Sequence, residues 1–309
     1  MRVLQNDEVV STIRATLQYF HIFKHPLYLE EIHRFSPMDI PLNELYHTLR
    51  EMIITGAIYE YDNFYMLEDN KELVNRRLEG KQRADALMDE AYRSASRIAG
   101  FPFVESVCIS GSLSKGYANE KSDIDLFIIT KKNRLWICRT ILHLFKKMTF
   151  LWNAQHSFCM NYFIDESKLC IEEQNRFTAT ELATLIPAYN SFVYRRLIDE
   201  NRAWLVNMFP NINWNSGTLI TKKEPKTFRR IWEQGINLIF PKQINLLLMN
   251  VTNKWWRFKW QRKGYPMQDY DLAMKTKWYV SKNHPLNYQK KVLKQLKEQN
   301  HPHLATALG

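Results

Sequence analysis

Residues 106–130, SVCISGSLSKGYANEKSDIDLFIIT, constrain the fold more tightly than any other part of the chain. An apolar run, 104–109, breaks at Gly111-Ser112 and resumes as a second apolar run, 124–129, with Asp123 and Asp125 at its mouth. Short apolar runs bounded by glycine and polar residues read as strands of a buried sheet. Side chains alternate along a strand, so both carboxylates face one side, about 6 to 7 Å apart along the backbone, and Ile124 faces the other. Hard oxygen ligands on a strand suit Mg2+, which takes one or two carboxylates and keeps its other positions for water and phosphates. Gly111 lets the backbone approach a ligand closely, Ser112 adds a hydroxyl, and a helix opening after them would aim N–H groups at an anion.

Gly111-Ser112, ten residues, then Asp123-Ile124-Asp125 resembles the signature of the nucleotidyltransferase superfamily, which includes the minimal nucleotidyltransferases and the polymerase-beta-like enzymes. The resemblance covers residues 100–170 or so. It implies an α+β fold, a nucleotidyltransferase-type mixed sheet flanked by helices. It also implies transfer of a nucleoside monophosphate from a nucleoside triphosphate to an acceptor hydroxyl, with release of pyrophosphate. Asp123 and Asp125 would then be the catalytic pair that holds Mg2+ or Mn2+, and Gly111, Ser112 and Lys115 would hold the triphosphate. For Lys115, an ordinary solvent-exposed loop lysine is the plainer reading.

Active members usually carry a third carboxylate on the next strand, read here over 156–164, and at that place stands Asn161. An amide ligates a metal weakly through its carbonyl and cannot act as a base. Asp165 shares the face of Asn161 but lies four residues on, about 13 Å along a strand, and reads as a turn cap. The acceptor's proton is left without a named taker. A nucleotide-binding regulator, or an interaction scaffold with a degenerate site, is therefore the alternative function.

The flanks are read as two further parts. Residues 1–68 carry three helical patterns and two short strand patterns around Asp62-Asn63, a winged-helix-like module. Its five Lys or Arg stand against ten Asp or Glu, which argues against duplex DNA as a partner, because DNA affinity rests on phosphate neutralisation. Residues 69–209 hold the core, with a helix over 70–99 before it and, after it, a short strand at 169–171 and helices from a Thr178–Glu181 capping box onward. Residues 210–309 read as a basic, Trp-rich helical region entered through a polar linker, 210–226. From 222 onward there are eighteen Lys or Arg against five Asp or Glu, and KWWRFKW at 254–260 interleaves cations with aromatics. Such a mixture suits contact with RNA or with an anionic membrane, or a solvated face whose tryptophans pack inward. Four scattered cysteines, an N-terminus without an apolar signal core and no bilayer-length apolar run point to the cytoplasm.

Overall fold

The computed structural model describes residues 2–149, 158–214, 227–239 and 242–298. It opens with helices α1 (Arg2–His21), α2 (Leu29–Arg34) and α3 (Leu42–Ile54), then the antiparallel hairpin of β1 (Tyr59–Tyr61) and β2 (Phe64–Met66). Asp62 and Asn63 both adopt positive φ, 51° and 65°, as a tight hairpin turn of the right twist requires. Leu27 pairs with Tyr65 and adds a third short stretch to the hairpin.

Helix α4 (Glu72–Ala99) leads into the central sheet, formed by β3 (Val104–Ser110), β4 (Asp125–Thr130), β5 (Cys159–Asp165), β6 (Ile186–Tyr189), β7 (Thr276–Lys277) and β8 (Val280–Lys282). The strand order is β6-β3-β4-β5-β8-β7. Only β4 and β5 run parallel, joined through the crossover helix α5 (Leu135–Thr149); the other pairs are antiparallel, so the sheet is mixed. β3 and β4 are buried on both faces, which is why they read as unbroken apolar runs.

After β5 the sequence reading needs three corrections. Residues 169–171 form no strand. Helix α6 (Arg176–Thr184) opens before Thr178: Asn175 is its cap, its side-chain oxygen accepting from the Thr178 N–H at 3.1 Å. The apolar residues beyond Thr184, read as more helix, leave it and become β6, an edge strand, the place in a sheet that tolerates a proline such as Pro187. Helix α7 (Ser191–Met208) follows.

Most of the linker, 215–226, lies outside the described residues, as do 156–157 of the strand read over 156–164 and Gln299 of the last helix. The C-terminal region is helical as read, with α8 (Thr227–Ile239), α9 (Lys242–Arg262), α10 (Tyr270–Ala273) and α11 (Tyr288–Glu298). It also supplies β7 and β8, and β8 pairs with β5, so this region completes the sheet rather than hanging beside it.

Two hydrophobic clusters lie on the two sides of the sheet. One joins α4 and α5 to Val107, Ile109, Leu126 and Ile128. The other joins α1–α3, α6, α7 and α11 to Cys108, Phe127, Ile129 and Ile164. The N-terminal helices are therefore sealed to the core, and polar bonds lock the seam: Arg34 Nη2 donates to Ala183 O at 2.7 Å and buried Arg176 donates to Phe35 O at 3.0 Å.

Candidate active site

The site assembles where β3 ends and β4 begins. Their register sets Ser110 opposite Asp125 and brings Gly111 against the Asp125 carboxylate. Gly111 has φ 70°, and a Cβ there would collide with Asp125 Oδ2, so two separate demands require glycine. The chain then makes a single 3-10 turn, Leu113–Lys115, closed by Gly116 at φ 67°, in place of the helix expected after Ser112. Ser114 Oγ and Lys115 Nζ each donate to Gly111 O at 2.9 Å, which folds the turn back on the glycine. Helix α4 braces the loop: Gly80 O accepts from Ala118 N, and the Tyr117 ring packs where a Gly80 Cβ would sit.

Asp123 lies just before β4 and Asp125 is its first residue; Asp123 is exposed, Ile124 buried and Asp125 half-buried, the alternation expected of extended chain. Parallel β5 aligns Cys159 with Asp125. The ladder then slips, Met160 pairing with Leu126 and Tyr162 with Phe127, so Asn161 is the extra residue of a bulge. Asn161 Nδ2 donates to Asp125 Oδ1 at 3.1 Å, and Cys159 Sγ donates to Asp123 Oδ2 at 3.4 Å. Asn161, and not Asp165, thus stands beside the two aspartates. Asp165 is buried opposite Thr130 at the other end of the strands, where it accepts from the N–H groups of Asn133 and Ser167.

Two residues that the sequence reading did not single out for the site come close to it. Glu181 on α6 pairs with Lys115 at 2.9 Å; its spacing from Thr178 read as a capping box, and only the packing of α6 reveals its place. Lys146, in the last turn of α5, donates to Phe158 O at 2.7 Å and lies 3.6 Å from Cys159 Sγ. No spacing in the sequence connects it with the aspartates.

Burial pushes the Asp125 carboxyl up from its ordinary 3.8 to about 6, and the charges of Glu181 and then Asp123 add to the rise, against Asn161 and Lys115. Burial likewise pushes the Cys159 thiol up to about 11, so it is a donor to Asp123 and not a thiolate. The site therefore concentrates negative charge that its own side chains do not neutralise. A cation would relieve this, and two carboxylates with an amide beside them are a hard-oxygen donor set. Among the described residues no group of three His, Cys, Asp or Glu side chains converges as a metal cluster. A cleft of about 430 Å3 lined by Arg34, Leu185, Pro187, Tyr194 and Trp214 lies elsewhere, and none of the acidic site residues lines it.

Residues 93–182 match the family model of the nucleotidyltransferase domain. The chain carries a nucleotidyltransferase domain. No curated protein and no solved structure matches the chain. The matched span runs from the last turns of α4 to α6, so the nucleotidyltransferase domain contains Gly111, Asp123, Asp125, Asn161, Lys115 and Glu181, while the N-terminal helices, β6 and all that follows it stand outside.

Proposed function

We propose that the nucleotidyltransferase domain moves a nucleoside monophosphate from a nucleoside triphosphate to an acceptor hydroxyl and releases pyrophosphate, with Mg2+ or Mn2+. One observation supports this reading: Gly111, Asp123 and Asp125 meet at adjacent strand ends inside the matched span, around a half-buried carboxylate with unbalanced charge. Asp123 and Asp125 would hold the divalent ion, with the Asn161 amide beside them. When bound, that ion supplies charge neutralisation along the triphosphate.

The chain's own groups do the rest. The glycine turn admits phosphate oxygens close to the backbone, and the Ser112 hydroxyl is exposed there. Lys115 turns from Glu181 toward the phosphates, and Lys146 adds a second cation from α5. Glu181, released from Lys115, is the carboxylate available for the acceptor's proton, in the place that Asn161 cannot fill. The acceptor is a small molecule, a protein or an RNA end. We assign the protein to the cytoplasm, whose reducing conditions suit its free cysteines.

The test is pyrophosphate release from each of the four ribonucleoside triphosphates with Mg2+ or Mn2+, with cell extract as acceptor source. Turnover that Asp123→Ala and Asp125→Ala both abolish supports the transferase. A second reading, a nucleotide-binding regulator with a degenerate site, is favoured by the amide of Asn161 on Asp125. It expects nucleotide binding without pyrophosphate release, and a gain of release in Asn161→Asp. Absence of both binding and release would overturn both and leave an interaction scaffold.

A further inference from the structure

Helices α8 and α9 carry apolar side chains on their outer sides. In α8 Arg229 and Glu233 go inward, at 4% and 7% exposed, whereas Arg230 lies exposed beside Ile231 and Leu238, which are 60% and 88% exposed. The inward orientation is fixed, since Arg229 donates to the carbonyls of Ala99 and Val104 and Glu233 accepts from Phe103 N–H. In α9 the outer face runs Leu246, Leu247, Val251, Trp255 and Phe258, each between 47% and 59% exposed. Spacings of four, four and three residues keep Leu247, Val251, Trp255 and Phe258 on one side of the helix, and Leu246 flanks them.

The inner side of α9 is equally fixed. Asn245 Oδ1 accepts from the N–H groups of Trp136 and Ile137 in the first turn of α5. Trp256 is buried, with the Arg139 guanidinium 4.5 Å from its ring. The outer face of α9 therefore cannot rotate into the core.

Cations border this face. Lys254, Lys259, Arg262 and Lys263 lie along or beside it, and residues 242–263 contain no Asp or Glu. Lys259 Nζ lies 5.2 Å from the Trp255 ring and the Arg262 guanidinium 5.4 Å from that of Phe258.

We propose that the outer face of α8 and α9 docks on an anionic lipid bilayer, the two helices lying in the interface. Leu, Ile and Val insert among acyl chains, Trp and Phe settle at the headgroup boundary, and Lys and Arg meet the lipid charge. The aliphatic residues have no π face on which bases could stack, which disfavours single-stranded nucleic acid as the occupant. A symmetric contact with a second copy would set Lys254 and Arg262 among their own kind. Among the described residues no helix is long and apolar enough to cross a membrane, which fits a helix lying on the surface.

The experiment is co-sedimentation of the full chain with vesicles of phosphatidylcholine alone or mixed with phosphatidylglycerol, across a salt series. It uses two double variants, Trp255→Ser with Phe258→Ser and Lys254→Glu with Arg262→Glu, on exposed or partly exposed positions whose melting should match the parent. Binding to mixed vesicles only, weakened by salt and by about tenfold or more in each variant, is the expected result. Absence of vesicle binding at low salt overturns the proposal, as does binding that both variants leave unchanged. Loss of oligouridylate binding, or of self-association, in the same variants without any vesicle binding would replace the membrane by RNA or by a second copy. None of these readouts depends on nucleotidyl transfer, so the membrane proposal and the proposed activity can fail separately.

Discussion

The two ends of β3 and β4 both bury charge, and they resolve it in opposite ways. Where β3 begins and β4 ends, Glu233 meets Lys131 at 2.6 Å and Arg229 at 3.0 Å, and Arg229 and Lys131 each lie 3.7 Å from Glu105. Burial alone would raise the Glu233 carboxyl, but Lys131, the Phe103 N–H and Arg229 outweigh it and hold the group low. Phe103 has φ 67°, unfavourable for a residue with a side chain, and its N–H bond to Glu233 helps to fix it there. At the opposite end burial raises the Asp125 carboxyl and its neighbours Glu181 and Asp123 raise it further. Charge paired within the fold holds structure together. Charge left unbalanced in a folded protein is a marker of a place where a ligand completes the balance.

Breaking the acidic end should have the largest effect on activity. Asp123→Ala and Asp125→Ala are each expected to cut pyrophosphate release on the order of 1000-fold, the scale of electrostatic stabilisation in a water-poor site. At the paired end the largest effect falls on stability. Arg229→Met leaves Glu233 and Glu105 buried with one cation fewer and should cost about 3 to 5 kcal/mol in urea unfolding, while metal-induced stabilisation at the far end persists.

Gly111→Ala comes next. It meets both a positive φ and the Asp125 carboxylate, so it should cost about 1 to 3 kcal/mol and lower turnover by displacing Asp125. Glu181→Gln removes the carboxylate proposed to take the acceptor's proton and should cut turnover about 100-fold or more. The smallest effect is a shift of the pH profile: Asn161→Asp puts a like charge against Asp125 and should move the acid limb of activity to higher pH.

How far these two ends could be read beforehand differs. Alternation along one strand is local, so the apolar runs, the glycine break and the outward pair Asp123 and Asp125 are visible in sequence, as is the neighbouring strand that carries Asn161. The pairing at the other end is not. Arg229 and Glu233 are four residues apart and look like an ordinary exposed helical pair; only packing against β3 buries them. Glu181 and Lys146 reach the acidic end for the same reason, through the docking of α6 and α5. β6 was hidden because its apolar residues continue the pattern of α6, and β7 and β8 because strands of two and three residues barely show a period.

The most direct test of the comparison is thermal unfolding at pH 7.5 of the parent and of Asp125→Asn, with and without Mn2+. The Asp125 carboxyl titrates near 6 in the fold against 3.8 ordinarily, so the folded state holds that proton more tightly than the unfolded chain does. Its contribution to stability thus declines as pH rises from about 4 to about 6, and above that the full cost remains, roughly 1 to 3 kcal/mol. Asp125→Asn removes the charge and should melt higher than the parent without metal, an advantage lost at pH 4. Mn2+ should raise the parent's melting temperature and leave that of the variant almost unmoved. A variant that melts below the parent at pH 7.5, with Mn2+ shifting both alike, would contradict the claim that this charge is held open for a ligand.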